Sequence, residues 1–352
     1  MPGIADIDKN LKIETNIQRE GLIFKNALDE PFKIYGVFHD GEGYRRLPRD
    51  VAENTSPGVN YHARCTAGGR VRFITDSPYI VIKAVIPYNV KYSHMSHSAH
   101  SGFDMYILDG EEHQFIESFI PPYDFDGSYD GVCDFSDAGT EHFITLNFPL
   151  YNEVTDLYIG IKEGSTLKEA PEYKYNLPVV YYGSSITQGG CASRPGSCYT
   201  AILSRKYDVD HINLGFSGNG KGEEIIADYV ASLDMSVFVL DYDHNSPSVE
   251  HYEKTHERFY KTVRAAHPDI PVIFMTRPKL RLTEDERQRI EIAKKTYDGA
   301  KARGEWVYFI PGYELFEISG NDGTVDGLHP SDVGFFSMAS RVSKEFDKIF
   351  KK

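Results

Sequence analysis

Val179-Val-Tyr-Tyr-Gly183-Ser184-Ser185-Ile186-Thr187-Gln188-Gly189-Gly190 carries an apolar strand into a Gly-Ser turn and then into small polar residues. A serine at the start of a following helix stands exposed, surrounded by backbone N–H groups that no earlier turn satisfies. That placement suits a nucleophile, which needs reach and hydrogen-bond donors for a developing oxyanion. A plain strand-to-helix turn closed by a capping serine reads the same way locally, since serine is a favoured N-cap. The neighbouring segments decide between the two.

The alternation of strand and helix continues to the C-terminus. Buried-type strands over 177–182, 211–214, 237–241, 272–275 and 306–310 alternate with helical segments near 197–206, 222–231, 249–267, 283–303 and 332–350. In the last helix Met338, Val342, Phe346 and Phe350 recur every fourth residue and make one apolar stripe. Five such β-α units predict a parallel five-stranded sheet with helices on both faces. Ligands on such sheets bind beyond the C-terminal strand ends.

Three more strand ends carry residues of interest. The loop Gly215-Phe-Ser217-Gly218-Asn219-Gly220-Lys221-Gly222 imitates a phosphate-binding loop, but Gly222 stands where such a loop needs Ser or Thr to reach Mg²⁺. Glycines there can instead let a backbone N–H approach a reacting oxygen closely. In Asp241-Tyr-Asp243-His244-Asn245-Ser246-Pro247, Asn245 can offer its side-chain N–H₂ to an oxyanion or simply close an Asx turn. Before the final helix, Asp326-Gly-Leu-His329 places an acid three residues ahead of a histidine. An Asp accepting from Nδ1 fixes the tautomer and leaves Nε2 free to take a serine proton.

The N-terminal half has a different texture. Short β-rich runs over 32–36, 70–75, 79–85, 103–108, 113–120, 142–147 and 155–160 are separated by Gly, Asp, Pro and Ser clusters. In the run 70–75, Val71 and Phe73 share one face while Arg70 and Arg72 point the other way. Such runs, with no long helical period, predict a β-sandwich. Residues 1–30 show no clear element and are expected to form an extended lead-in that covers an edge. A polar stretch after Gly164 reads as a linker, so the chain divides into 1–170 and 171–352.

Taken together, the four strand ends resemble the four blocks of the SGNH (GDSL-type) hydrolases, in order and spacing, over about residues 177–352. The resemblance implies a flavodoxin-like α/β/α hydrolase domain with Ser185 as nucleophile, His329 as general base and Asp326 orienting that histidine. It further implies an oxyanion hole of Gly218, Asn245 and the backbone N–H of Ser185. Two departures stand out: the usual Gly-Asp-Ser is Gly183-Ser184-Ser185, and the usual Gly-x-Asn-Asp is Asp243-His244-Asn245-Ser246. The first leaves two adjacent serines, between which motif register chooses Ser185. Upstream, Gly102-Phe-Asp104-Met-Tyr106 resembles the GxDLY signature of the jelly-roll-like β-sandwich domain that precedes the hydrolase domain in one subgroup. Members of that kind resemble carbohydrate O-acetyl esterases. The implied substrate is an acetylated oligosaccharide of xylan or mannan type, with no cofactor. Another short-chain acyl ester or lipid, or a non-catalytic carbohydrate-binding role, are the alternatives.

Composition limits the partners. With 38 Lys+Arg against 52 Asp+Glu, the net charge of −14 argues against nucleic acid and anionic membranes. No run of about 18 apolar residues is present, and the start MPGIADIDKNLKIETN lacks the marks of a signal peptide, so a cytoplasmic location is expected. Self-association into a homo-oligomer is left open. Cys191 and Cys198 flank the loop after the nucleophile and are expected to be free thiols. Arg194 in that loop is a candidate for substrate hydroxyls or for an acidic neighbour. His94, His97 and His100 could share an ion only on a helix, and they lie between two predicted strands. No metal is expected there; His97 and His100 are instead candidates to reach the neighbouring site and touch substrate. The acidic Glu284, Asp285 and Glu286 suit the positive end of a helix.

Overall fold

The computed structural model describes residues 13–137 and 139–350. In the C-terminal half, the strands Tyr175–Gly183, Val209–Gly215, Val237–Asp241, Val272–Met275 and Val307–Ile310 form one sheet. Its spatial order, by appearance in the chain, is second, first, third, fourth, fifth, and every pair is parallel. Alternation along the first strand sends Val179 and Tyr181 into one core and Val180 and Tyr182 into another. The helices Tyr199–Tyr207 and Asp332–Phe350 cover the first face; Glu224–Ala231, Val249–Ala266 and Glu284–Ala302 cover the second. The stripe Met338, Val342, Phe346 and Phe350 is buried in the first of these cores. This is the expected α/β/α hydrolase layering, and the order reverses beside the first strand, where such sheets bind ligands.

The N-terminal half forms two antiparallel sheets. One runs Leu22–Asn26, Asp156–Lys162, Tyr79–Val85, Ser128–Asp134; the other runs Leu167–Glu169, Arg70–Thr75, His142–Asn147, Phe103–Asp109, Glu112–Phe119, with Lys33–Tyr35 also on Arg70–Thr75. Val71 and Phe73 enter the core between them, as their alternation predicts. The expected lead-in therefore contributes an edge strand of its own, Leu22–Asn26; residues 1–12 lie outside the described part. Arg70 and Arg72 do point the other way, but into the junction with the parallel sheet. Arg72 lies 3.8 Å over the Tyr173 ring, and Arg70 pairs with Asp210 and donates to the His211 carbonyl.

One part of the N-terminal half departs from the strand-only reading. Residues Arg49–Thr55 and Pro57–Arg64 are helices, the second capped by Ser56, which accepts from the Val59 N–H. Leu47, Ala52, Val59 and Ala63 are buried together with Phe216, Ile226 and Ala227 of the C-terminal half. Between them Arg46, 2% exposed, donates to the carbonyls of His62, Cys65, Asn213 and Gly215. The two halves thus share a core rather than meeting at a thin seam. Among the described residues, no helix is long and apolar enough to cross a membrane.

Candidate active site

The parallel register aligns Gly183 with both Gly215 and Asp241, which brings three strand ends to one line. A Cβ on Gly183 would lie 2.1 Å from Thr187 Oγ1 and 2.4 Å from the Asp241 carbonyl, so only glycine permits this close turn. The chain then makes a single helical turn, Ser185–Gln188, that ends at Gly189 with φ of +101°. Ser184 is its N-cap: the hydroxyl accepts from the Ile186 N–H at 3.2 Å, and the residue is wholly buried. Ser185 faces the other way, with Oγ 2.9 Å from His329 Nε2.

His329 Nδ1 lies 2.7 Å from Asp326 Oδ2, and the same carboxylate accepts the backbone N–H groups of His329 and Leu328 at 2.8 and 3.0 Å. Burial works to raise the Asp326 pKa, but these hydrogen bonds outweigh it and hold the group down at about 2. An ionised carboxylate only accepts, so Nδ1 carries the ring proton and Nε2 is left to accept from Ser185. The three residues form one directed chain of hydrogen bonds in which a histidine can take a hydroxyl proton.

The two neighbouring strand ends are tied to each other. Asn245 Nδ2 donates to the Phe216 carbonyl at 2.9 Å, and Gln188 Oε1 accepts from the Ser217 N–H at 3.0 Å. Gly218 adopts φ of +67°, and no atom lies within 4 Å of where its Cβ would stand. Behind this layer Asp241 is buried beside Asp243. Burial first, and the Asp243 charge second, push its pKa up to about 7. Asp243 is itself held by Arg277 at 3.1 Å, and Arg277 pairs in turn with Glu286. Glu286 also completes a capping box with Thr283, so that acidic helix start is structural.

The sandwich reaches the site through Tyr151, which no sequence motif marks, and through His94, which the sequence groups with His97 and His100 as a candidate for sharing an ion. Tyr151 donates its hydroxyl to the Ser185 carbonyl at 3.1 Å. The His94 ring lies 5.3 Å from the His329 ring. The GxDLY residues have a docking role: Asp104, fully buried, accepts from the Gly196 N–H at 2.8 Å, and Tyr106 accepts from Arg194 at 2.7 Å. Arg194 also lies 4.1 Å over Phe115, so it pairs across the junction rather than presenting itself to a sugar. Of the histidines expected to touch substrate, His100 is 2% exposed and bonded to Ser101 through Nδ1. His97 turns to the Pro122 carbonyl and to His100. A short helical turn, His97–His100, buries His100 and turns His97 toward Pro122, so that of the three it is His94 that lies beside His329. All four cysteines are free, and burial raises the Cys191 thiol to about 12, so at neutral pH it is no nucleophile.

Known proteins agree with this architecture. The GDSL-like lipase/acylhydrolase family matches residues 176–347, and the GxDLY N-terminus of SGNH-hydrolase-type esterases matches residues 22–167. A Bacteroides ovatus protein described as a GDSL-like lipase is 30% identical, with a TM-score of 0.84 over 94% of this chain and 98% of that one. A salicylyl-acyltransferase from a tetracycline biosynthetic pathway is 17% identical, with a TM-score of 0.76 over 94% and 98% of the two chains. A family two carbohydrate esterase from Clostridium thermocellum, solved with cellohexaose, is 16% identical, with a TM-score of 0.63 over 90% and 98%. No curated protein matches. The fold and site define an ester hydrolase of the SGNH type. The chain belongs to the GDSL-like lipase/acylhydrolase family, in the group whose hydrolase part is preceded by a GxDLY sandwich.

Proposed function

We propose that the protein is a serine esterase that removes O-acetyl groups from oligosaccharides of acetylated xylan or mannan type through an acyl-enzyme. The observation that carries this reading is the hydrogen-bonded chain Ser185–His329–Asp326, at 2.9 and 2.7 Å. Ser185 Oγ attacks the ester carbonyl carbon as His329 Nε2 takes its proton, and Asp326 steadies the imidazolium. The tetrahedral oxyanion accepts from the backbone N–H groups of Ser185 and Gly218 and from the second N–H of the Asn245 amide, whose first is spent on Phe216. His329 then protonates the departing sugar hydroxyl as the C–O bond breaks, leaving acetyl on Ser185. Water, deprotonated by His329, attacks that ester; acetate leaves and the proton returns to Ser185 Oγ. This sequence uses no metal or organic cofactor.

The sugar preference rests on the two-part fold shared with a carbohydrate esterase. Acetate release from acetylated xylan and mannan oligosaccharides tests it, with turnover on those substrates expected and its absence counting against the reading. A second reading, a longer or more apolar acyl ester, is favoured by Val325, Val333 and Phe336, which border the His329 loop in sequence and are each more than half exposed. A p-nitrophenyl ester series separates them: acetate preferred over octanoate supports the first, and the reverse order supports the second.

A further inference from the structure

His94 from the sandwich, Cys191 from the loop after the nucleophile and His329 each offer one ligand atom, and these atoms lie within 4.8 Å of one another. We propose that these three residues form a binding site for a thiophilic divalent cation of the zinc type, and that filling it switches the esterase off. The inference rests on the proposed role of His329 for its inhibitory effect, but not for binding.

The donor set is chemically selective. Imidazole and thiolate together suit Zn²⁺ or Co²⁺ and do not suit Mg²⁺ or Ca²⁺. Tetrahedral bonds of roughly 2.0–2.3 Å place ligand atoms on the order of 3.5 Å apart, so closure needs only small side-chain rotations. Two features prepare the site for that. Cys191 is held at φ of +72°, a left-handed conformation unusual for a residue with a side chain, by a loop in which Gly190 N–H donates to the Ser185 carbonyl at 2.8 Å. That backbone keeps Sγ 3.3 Å from the His94 carbonyl, beside the imidazole that would share the ion. The second feature is that Asp326 already orients His329 through Nδ1, the carboxylate–histidine arrangement found behind metal-bound imidazoles.

On binding, the Cys191 thiol gives its proton to solvent and both imidazoles bind as neutral ligands. The ion takes His329 Nε2, the atom that accepts from Ser185 Oγ in the free protein. A fourth position remains for water. The base of the ester reaction is then occupied, and a chelator restores it.

The test titrates the purified full chain with Zn²⁺ while following p-nitrophenyl acetate hydrolysis, and separately with Co²⁺ while following the thiolate-to-cobalt charge-transfer absorption. Turnover is expected to fall on zinc addition and return with EDTA. Cys191→Ser is expected to keep metal-free turnover, and Cys191→Ser and His94→Ala are each expected to move the zinc midpoint upward by at least about tenfold, each measured against that variant's own metal-free rate. The cobalt band is expected in wild type and in Ser185→Ala, and absent in Cys191→Ser. A wild type that gives the cobalt band on loading but shows no esterase turnover before any metal is added would leave the cation site standing and overturn the proposed function instead. Zinc inhibition unchanged in both ligand variants, or no charge-transfer band in wild type, overturns the cation site.

Discussion

Ser184 and Ser185 are neighbours whose hydroxyls have opposite duties: Ser184 Oγ caps the Ile186 N–H at 3.2 Å, and Ser185 Oγ meets His329 Nε2 at 2.9 Å. Ser185→Ala is therefore expected to lower kcat on p-nitrophenyl acetate by at least about 10³-fold. Ser184→Ala is expected to keep most turnover and lose about 1 kcal/mol of stability with its cap. Initial rates and thermal melts of the two variants check this; loss of turnover in Ser184→Ala alone would move the nucleophile by one residue.

Asn245 Nδ2 donates to the Phe216 carbonyl, and the proposed oxyanion hole draws on the second N–H of that amide. Asn245→Ala is expected to cost about 10²–10³ in kcat, with KM changed far less, as for other lost oxyanion donors. Steady-state kinetics at several substrate concentrations separate the two parameters.

Asp326 is held at about 2, burial raising it and the hydrogen bonds from His329 and Leu328 lowering it further. Its unfolded value is near 3.9. Its contribution to stability is thus present above about pH 4 and is lost only as pH falls through about 2. The acid limb of the rate profile is then not set by this carboxylate. Asp326→Asn should lower kcat on the order of 10³–10⁴-fold at pH 7, as removal of the orienting acid does in serine proteases. A wild-type rate profile showing a titration near 2 as its sole acid limb would contradict the assignment.

Asp241 works in the opposite direction. Burial and the charge of Asp243 raise it to about 7, so the folded protein keeps its proton while the unfolded chain loses it near 3.9. Stability from this group is full below about pH 4, falls as pH rises, and is spent once pH passes about 7. Asp241→Asn escapes that loss. The urea midpoint of the variant should exceed that of wild type by a margin that grows from pH 4 to pH 7 and then levels off.

Arg46 binds four carbonyls while almost wholly buried. Arg46→Met leaves those acceptors without a charged donor and is expected to destabilise the protein by about 3 kcal/mol or more. A melting temperature within a degree of wild type would show that the carbonyls find other partners.

The hydrolase half was legible in the sequence because its central strands, Val237–Asp241, Val272–Met275 and the end of Tyr175–Gly183, are buried on both faces and four strand ends carry a distinctive turn. Gly183, Asn245 and the Asp326–His329 pair announce themselves by residue type at a fixed place. The helices Arg49–Thr55 and Pro57–Arg64 were not legible: seven and eight residues long, they bury little beyond Ala52, Val59, His62 and Ala63. Their apolar face has a partner only in the second half of the chain, so no local period reveals it. The histidine cluster failed for a related reason. Residues 94, 97 and 100 are chemically alike, and the turn His97–His100, closed by Ala99 and His100 against the body of the protein, decides which ring lies beside His329.

The packing of Leu47, Ala52, Val59 and Ala63 against Phe216, Ile226 and Ala227 also bears on how such proteins are inherited. A genetic exchange that joined a foreign sandwich at the linker would import a helix pair shaped for other side chains, and would leave the hydrolase's own apolar face mismatched. Viable crossovers must therefore carry matching surfaces on both sides, so the two halves are expected to diversify as one lineage.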